Sequence, residues 1–332
     1  MDKIVTRIVY KALDGGEITP AEIRKLLGVD WLSEEAFLMQ YASRKMSEAS
    51  AKGKAEVHGQ VGIDVGPCPK NCEYCSFAAK HSVFPAPKVH PVAEIVETCL
   101  GLEAAGANAV YLMATAAVAL PDYLRIARDV RAALKPEMPL IANVDDFDEE
   151  GARALKKAGF AGIYHCVRLG EGKVTAIEPR MRVRTIQAAQ KAGLLLGTSV
   201  GPVGPEHTVE ELVATTVTTR ELKPVNSAAC RRINIPGLPL TDHGSVSYGR
   251  MAHILAAVRL ASGYETIGFG THEPNGMGAM AGANLFWAER GANPRDTSEA
   301  TVRGWTVEQA RALQEEAGWE TLEGPSAMFG GR

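Results

Sequence analysis

Strand-like apolar runs alternate with helical patterns from residue 56 to residue 288, and several helices end in the same Ala-Gly punctuation, at Ala105-Gly106, Ala158-Gly159 and Ala192-Gly193. A glycine just past a helix supplies the left-handed cap. Regular strand–helix alternation predicts an α/β fold with a parallel sheet. Eight strands joined by seven crossovers predict that the sheet closes as a (β/α)8 TIM-type barrel. An open doubly wound sheet is the alternative that periodicity leaves standing. The 332 residues exceed the usual single-domain size, yet such barrels run to roughly 200–250 residues before decorations. The expected division is an N-terminal helical extension over 1–55, the barrel over 56–295, and a C-terminal helix and tail over 296–332.

Residues 1–55 read as helical. Thr19-Pro20 is an N-cap followed by proline at the first helical position, opening a short helix through Leu27. Ser33-Glu34-Glu35 caps a longer one in which Phe37, Leu38, Tyr41 and Met46 recur at helical spacing toward Ala51. This pair is expected to plug one end of the barrel. The first strand, Val57–Val65, leads into a cysteine-rich loop and a helix over Pro91–Ala105. Strand Ala109–Thr115 precedes helix Pro121–Leu134, and strand Leu140–Val144 precedes helix Asp148–Ala158. Strand Gly162–Leu169 precedes helix Arg180–Ala192, and strand Leu194–Val200 precedes helix Val209–Leu222. Strand Arg231–Ile235, helix Ser247–Ser262, strand Thr266–Gly270 and the apolar run Ala281–Ala288 complete the alternation. Beyond it lie one more helix, Val307–Ala317, and a Gly-rich end expected to be loose.

A chain 46% hydrophobic and 23% charged suits a soluble globular protein. The net charge of −3 provides no electrostatic case for nucleic acid or an anionic membrane. No apolar run approaches the ~20 residues that span a bilayer, and the start, MDKIVTRIVYKALDGGE, is too polar for a signal peptide. Six cysteines, half of them in one cluster, point to metal ligation in a reducing compartment rather than disulfides, so a cytoplasmic location is expected.

The cluster is Cys68-Pro-Lys-Asn-Cys72-Glu-Tyr-Cys75, followed by Ser76-Phe77. Thiolates this close on one loop can converge on one metal centre. Three are one short of the usual four-cysteine set of an iron–sulfur cluster, which leaves one iron of a 4Fe–4S cluster open to a ligand that is not protein. A closed structural zinc site also wants four ligands. Cys68, Cys72, Cys75 and His81 could form such a set of three thiolates and one imidazole, which is the alternative from a different class. In a parallel barrel, catalytic groups sit at the C-terminal ends of the strands, which is where this loop begins.

Cys68-x3-Cys72-x-Tyr74-Cys75 on the loop after the first strand of a barrel resembles the radical SAM superfamily. The N-terminal helical segment, Arg182-x-Arg184-Thr185, Gly201-Pro-Val-Gly204 and Ala281-Gly-Ala-Asn284 look like the biotin synthase group. That group includes the FeFe-hydrogenase maturase acting in cofactor assembly, methylornithine synthase, and the maturase for the iron–guanylylpyridinol cofactor of Fe-only hydrogenase. The stretch at 283–296, ANLFWAERGANPRD, is most similar to the last, with a methylornithine synthase-like mutase as the alternative. The resemblance implies a 4Fe–4S cluster on Cys68, Cys72 and Cys75, with S-adenosylmethionine chelating the open iron. It further implies reductive cleavage to methionine and a 5′-deoxyadenosyl radical, hydrogen abstraction from a small-molecule substrate, and an external low-potential electron donor of flavodoxin or ferredoxin type. Such a radical attacks almost any nearby C–H bond, so the barrel must enclose it and hold substrate in near-attack geometry.

By the same resemblance Tyr74 shields the cluster and Phe77 lies near the adenine, although both are equally able to anchor the loop. Met113, Ala114 and Thr115 stand where relatives bind the SAM amino group, but the usual Gly-Gly-Glu is missing there. The fourth strand is unusually polar for a buried parallel strand, so Arg168 is assigned to the SAM carboxylate and Glu171 to its ammonium or a ribose hydroxyl; an Arg–Glu pair closing a loop is the plainer reading. Arg182 is favoured over Arg180 and Arg184 as a further carboxylate contact. Val203, within the Gly201–Gly204 stretch, is placed against the adenosine. Polar groups at strand ends are the substrate candidates: Asn143, Asp145 and Asp146; Arg231, Arg232 and Asn234; Thr271, His272 and Glu273. Cys99 reads as core, and Cys166 and Cys230 as core or barrel border. The positions that hold biotin synthase's second cluster correspond to Leu112, Ile141 and Gly197, none able to bind iron, which argues against biotin synthase activity.

Overall fold

The computed structural model describes residues 1–291 and 293–330. Eight parallel strands close into a barrel: β1 (Lys54–Gly62), β2 (Ala109–Met113), β3 (Leu140–Asn143), β4 (Phe160–Tyr164), β5 in two pieces (Leu195–Gly197 and Val200–Val203), β6 (Asn226–Arg231), β7 (Gly268–His272) and β8 (Leu285–Gly291). Closure is made by β8 on β1, with Glu56 opposite Leu285 and Gly62 opposite Gly291, and by β6 on β7, with Asn226 opposite Gly268. Helices α4 (Val92–Ala104), α5 (Leu120–Ala133), α6 (Glu149–Lys157), α7 (Pro179–Lys191), α8 (Val209–Glu221), α9 (Tyr248–Ser262) and the short α10 (Gly276–Met280) make the crossovers. No helix among the described residues is long and apolar enough to cross a membrane.

Two strand boundaries differ from expectation for readable reasons. The sixth strand is Asn226–Arg231 rather than Arg231–Ile235. Asn-Ser-Ala-Ala-Cys lacks β-branched residues, whereas Ile233 and Ile235 alternate convincingly yet lie in the loop beyond. The fourth strand stops at Tyr164, so His165 to Glu171 form a loop at the barrel mouth, and their polarity is that of a loop rather than of a strand core.

The three N-terminal helices, α1 (Lys3–Leu13), α2 (Pro20–Leu27) and α3 (Glu34–Ser50), do not plug the barrel. They pack on its outer helices α8 and α9. Met39 and Met46 face that layer, while Phe37 and Tyr41 are exposed, so the inward stripe of α3 is not the one its aromatics suggested. Arg259, fully buried on α9, donates to Ser47 Oγ at 2.9 Å and Ser50 Oγ at 2.8 Å and to the carbonyls of Met46 and Gly263. A cation with no carboxylate partner is tolerated there because its N–H groups are satisfied.

The plug is the tail. After α11 (Val307–Glu316), the chain runs under the barrel and inserts Met328 and Phe329 among Tyr111, Ile141, Ala228 and Trp287. Gly162 and Gly268 make room for them: a Cβ on Gly162 would come 2.6 Å from the Phe329 ring, and one on Gly268 would collide with the Met328 sulfur. The end expected to be loose is therefore anchored in the core by Ser326, Met328 and Phe329, and its last two residues lie outside the described ones. Phe329→Ala is expected to destabilise the fold by about 3–4 kcal/mol, as for other buried phenylalanines, measured as a shift in urea unfolding at constant slope.

Candidate active site at the mouth of the barrel

Strand β1 alternates. Val57 and Val61 face the helices, while Glu56, His58 and Gln60 point into the barrel. At its C-terminal end the chain forms a two-residue pairing, Asp64–Val65 with Lys88–Val89, that frames the cysteine loop. The loop closes on itself where Cys68 N donates to Phe77 O at 2.7 Å and Ala79 N donates to Cys68 O at 3.0 Å. Gly66 is required at this closure, since any Cβ there would strike the Phe77 carbonyl. Phe77 packs edge-on against Phe84 at 5.4 Å, and Ser76 N is tied to Pro294 O at 3.0 Å, joining the loop to the segment after β8.

Cys68, Cys72 and Cys75 line one cavity of about 300 Å³, and Tyr74 and Phe77 stand beside them. Burial, and then the neighbouring Cys72, push the Cys75 thiol up to about 12. Burial raises Cys72 as well. Thiols held in this way stay protonated until a metal centre binds and displaces their protons. Among the described residues no three His, Cys, Asp or Glu side chains surround a single ion position. A cuboidal cluster would take each thiolate on a different iron and so needs no single shared ion position. The three-cysteine donor set fits a 4Fe–4S cluster.

Beside the cysteine loop, to which it is tied by Glu73 N donating to Val174 O at 2.9 Å and Ala176 N donating to Lys70 O at 2.7 Å, the loop after β4 and the start of α7 build an ionic network. Arg182 is buried, its Nη1 3.3 Å from Asp146 Oδ1 and its Nε 3.7 Å from Glu171 Oε1. Glu171 accepts from Arg168 N at 2.8 Å through Oε2, leaving Oε1 without a hydrogen bond, and Arg182 Nε also has none. A buried arginine on the cavity lining with an N–H free of hydrogen bonds, backed by a carboxylate, suits the charged end of an amino acid. The donor set thus fits the methionine moiety of S-adenosylmethionine. Burial alone would lift the Asp146 carboxyl, but the hydrogen bond from His165 at 2.9 Å, the Arg182 charge and the Thr185 hydroxyl hold it well below the usual range. Burial pushes His165 down to about 4, so the neutral ring donates its Nε2–H to Asp146.

Most expected residues meet in this cavity. Met113, Thr115, Asn143, Asp145, Arg168, Arg182, Arg231 and His272 all line it with the cysteine loop, and Glu171 reaches it through its two arginines. Some of them are already engaged: Thr115 Oγ1 donates to Asp64 at 2.6 Å, and Asp145 pairs with Lys70 at 2.9 Å. Five expected residues, Val203, Thr271, Asn234, Arg232 and Glu273, do not line the cavity. Val203 is core packing, and Gly201 and Pro202 form the cavity wall in its place. Thr271 faces away from the cavity and donates to Ala229 O at 3.0 Å. Asn234, displaced by the earlier end of β6, lies in a separate cleft with Asp296 and Arg303. Arg232 is likewise turned outward, paired with Glu206, and Glu273 is held by Arg303 at 2.9 Å.

The far wall was not foreseen. Trp287 stacks on His272 with centroids 5.1 Å apart, Glu289 binds Arg295 through both carboxylate oxygens at 2.6–2.7 Å, and Cys230, Tyr164 and Ser199 complete it. Only the resemblance of 283–296 hinted that this stretch was more than a strand.

Residues 66–216 match the model of the Radical SAM superfamily. Biotin synthase of Carboxydothermus hydrogenoformans is 24% identical over 230 residues, covering 66% of this chain and 69% of that one. Biotin synthase of Myxococcus xanthus is 26% identical over 296 residues, covering 81% and 80%. Among solved structures, the FeFe-hydrogenase maturase HydG of Carboxydothermus hydrogenoformans superposes with a TM-score of 0.79 at 16% identity, over 99% of this chain and 81% of that one. Methylornithine synthase superposes with a TM-score of 0.78 at 16% identity, over 97% and 98%. With the cysteine loop and barrel already described, the chain carries a radical SAM domain. Over most of its length it is similar to enzymes of the biotin synthase-like group.

Acid should loosen this protein before its carboxylates titrate. His165 and His253 are both held at about 4 by burial, whereas an unfolded histidine titrates near 6.5. Between those values the unfolded chain takes up protons that the native chain refuses, so stability falls as pH drops from about 6.5 toward 4. The expected loss is on the order of 1 kcal/mol per pH unit for each histidine, checked by urea unfolding at several pH values.

Proposed function

We propose that Cys68, Cys72 and Cys75 hold a 4Fe–4S cluster with one open iron, and that Arg182, Arg168 and Glu171 seat the methionine end of S-adenosylmethionine against it. The observation that carries this reading is the meeting of three free cysteines with Arg168 and Arg182 on the lining of one cavity, with Glu171 behind the two arginines. When bound, the cluster supplies the single electron that breaks the sulfonium bond of SAM and so produces the hydrogen-abstracting 5′-deoxyadenosyl radical. The chain's part is to orient and to exclude. Tyr74 and Phe77 wall the cluster side, Gly201 and Pro202 let backbone approach the nucleoside, and the eight strands keep water from the reacting atoms.

The substrate is a small polar molecule held between Asn143 and Asp145 on one side and Arg231 and His272 on the other. The role is one in cofactor biosynthesis of the iron–guanylylpyridinol maturase kind. The chain is not biotin synthase itself: Leu112, Ile141 and Gly197 offer no ligands for a second cluster. A flavodoxin- or ferredoxin-type protein delivers the electron.

Anaerobically reconstituted protein, incubated with SAM and dithionite, is expected to release 5′-deoxyadenosine, detected by mass spectrometry. Cys72→Ala should lose both iron and cleavage. Arg182→Ala should keep the iron and bind SAM about 30-fold more weakly, equivalent to about 2 kcal/mol for removing one member of a buried charge pair. Intact SAM together with stoichiometric zinc in the wild type would overturn the reading.

A further inference from the structure

Beneath the cavity, three titratable side chains that the proposed function does not use form a continuous buried chain. Glu56 and His58 project inward from β1 and Tyr111 from β2, and each is withdrawn from solvent. His58 Nε2 lies 2.8 Å from Glu56 Oε2, and Tyr111 Oη lies 3.2 Å from His58 Nδ1. The other Glu56 oxygen accepts from Ala327 N of the tail at 3.0 Å. A carboxylate only accepts, so His58 Nε2 carries the ring proton and Nδ1 presents a lone pair to the phenol. Burial holds the Tyr111 and Tyr164 phenols protonated far above neutral pH. The Tyr111 ring meets the Tyr164 ring edge-on at 6.3 Å, and Tyr164, whose hydroxyl is 2.8 Å from Ser199 Oγ, lines the cavity.

A phenol is hard to oxidise in a dry interior unless its proton has somewhere to go. Here a base stands at hydrogen-bond distance, and a carboxylate behind it stabilises the cation that would form.

We propose that Tyr164 and Tyr111 form a hydrogen-and-electron relay, with His58–Glu56 as proton acceptor, that closes a carbon-centred radical left in the cavity. This rests on the radical reading of the site. In the first step the Tyr164 O–H bond breaks and a C–H bond forms on the radical. One electron then passes from the Tyr111 ring to the Tyr164 oxyl, which regains a proton from Ser199, itself restored by cavity water. The Tyr111 phenolic proton moves to His58 Nδ1, forming an imidazolium beside Glu56. An external one-electron donor of low potential reduces the Tyr111 oxyl, and the proton returns from His58. The net change is uptake of one electron and one proton by the carbon radical. Tyr164 is the catalytic residue of this step, and His58 and Glu56 are positioning residues for Tyr111.

Two measurements test it. In the first, ultraviolet irradiation of the frozen, cluster-free full chain is followed by electron paramagnetic resonance. At low temperature a tyrosyl radical persists only where its proton has an acceptor in place. The yield is expected to fall at least threefold in Tyr111→Phe and in His58→Gln, which keeps a hydrogen-bond acceptor but cannot take the proton. Equal yields overturn the proposal, and His58→Gln decides alone if Tyr111→Phe does not fold. In the second, reconstituted protein is incubated with SAM and dithionite in D2O without substrate. The deuterated fraction of 5′-deoxyadenosine is expected to fall at least threefold in Tyr164→Phe, and an unchanged fraction overturns the donor role of Tyr164. SAM left intact by the wild type would overturn the radical reading and the relay with it, whereas the frozen-state yield would still decide whether Tyr111 and His58 are a redox pair.

Discussion

The carboxylates of Glu56, Asp64, Glu171, Glu273 and Glu289 are withdrawn from water at the interior and mouth of one barrel, and Asp146 nearly so. A charge moved into such surroundings is destabilising by several kcal/mol unless it is matched. The rest of the molecule is arranged around that matching. Glu56 takes His58 and the tail amide, Asp64 takes Thr115, and Asp146 takes His165, Arg182 and Thr185. Glu289 takes Arg295, and Glu273 takes Arg303. The matching is incomplete at Glu171 Oε1 and Arg182 Nε, which lie 3.7 Å apart, and Arg182 lines the cavity shared with the cysteines. Buried polar atoms without a partner also occur elsewhere around this cavity, at Tyr74 Oη, Arg231 Nε, His272 and Trp287 Nε1.

The two ends of the barrel are treated differently. The N-terminal end is filled by Met328 and Phe329, with glycines at 162 and 268 clearing space for them. The C-terminal end is kept open and is lined by residues from every strand and the loops beyond. One consequence is that the bottom plug and the reaction cavity are only a barrel layer apart. Tyr111 touches Phe329 on one side and Tyr164 on the other, with ring centroids 6.1 and 6.3 Å away. Stability and chemistry therefore share side chains in the middle layer.

Much of this was legible before any coordinates. The alternation of strands and helices, the Ala-Gly helix ends and the cysteine loop are local signals, and the chain order of a barrel follows from them. Arg168 and Glu171 could be singled out because their types departed from what a buried strand needs, and Arg182 through the family resemblance. The misreadings also have local causes. Strand β6 is built from Asn, Ser and Ala, whose strand character comes only from its neighbours β5 and β7, so Ile233 and Ile235 drew the boundary too far along and carried Asn234 with it. Thr271 and Val203 fall on the outward phase of their strands, which a one-residue uncertainty in register is enough to invert.

What the sequence determined by itself is what depends on neighbours along the chain: the helices and their caps, the class of fold, and a tight triplet of thiols with one ligand missing. What only the tertiary structure decided is what depends on closure. The tail's return beneath the barrel pairs Ala327 with Glu56 across 271 residues. The β8 segment brings Trp287 and Glu289 against His272. The β1 and β2 strands set His58 beside Tyr111. Contacts between residues so far apart in the chain leave no periodicity to read, because they are selected by the volume and charge balance of a shared interior rather than by any local preference of the backbone.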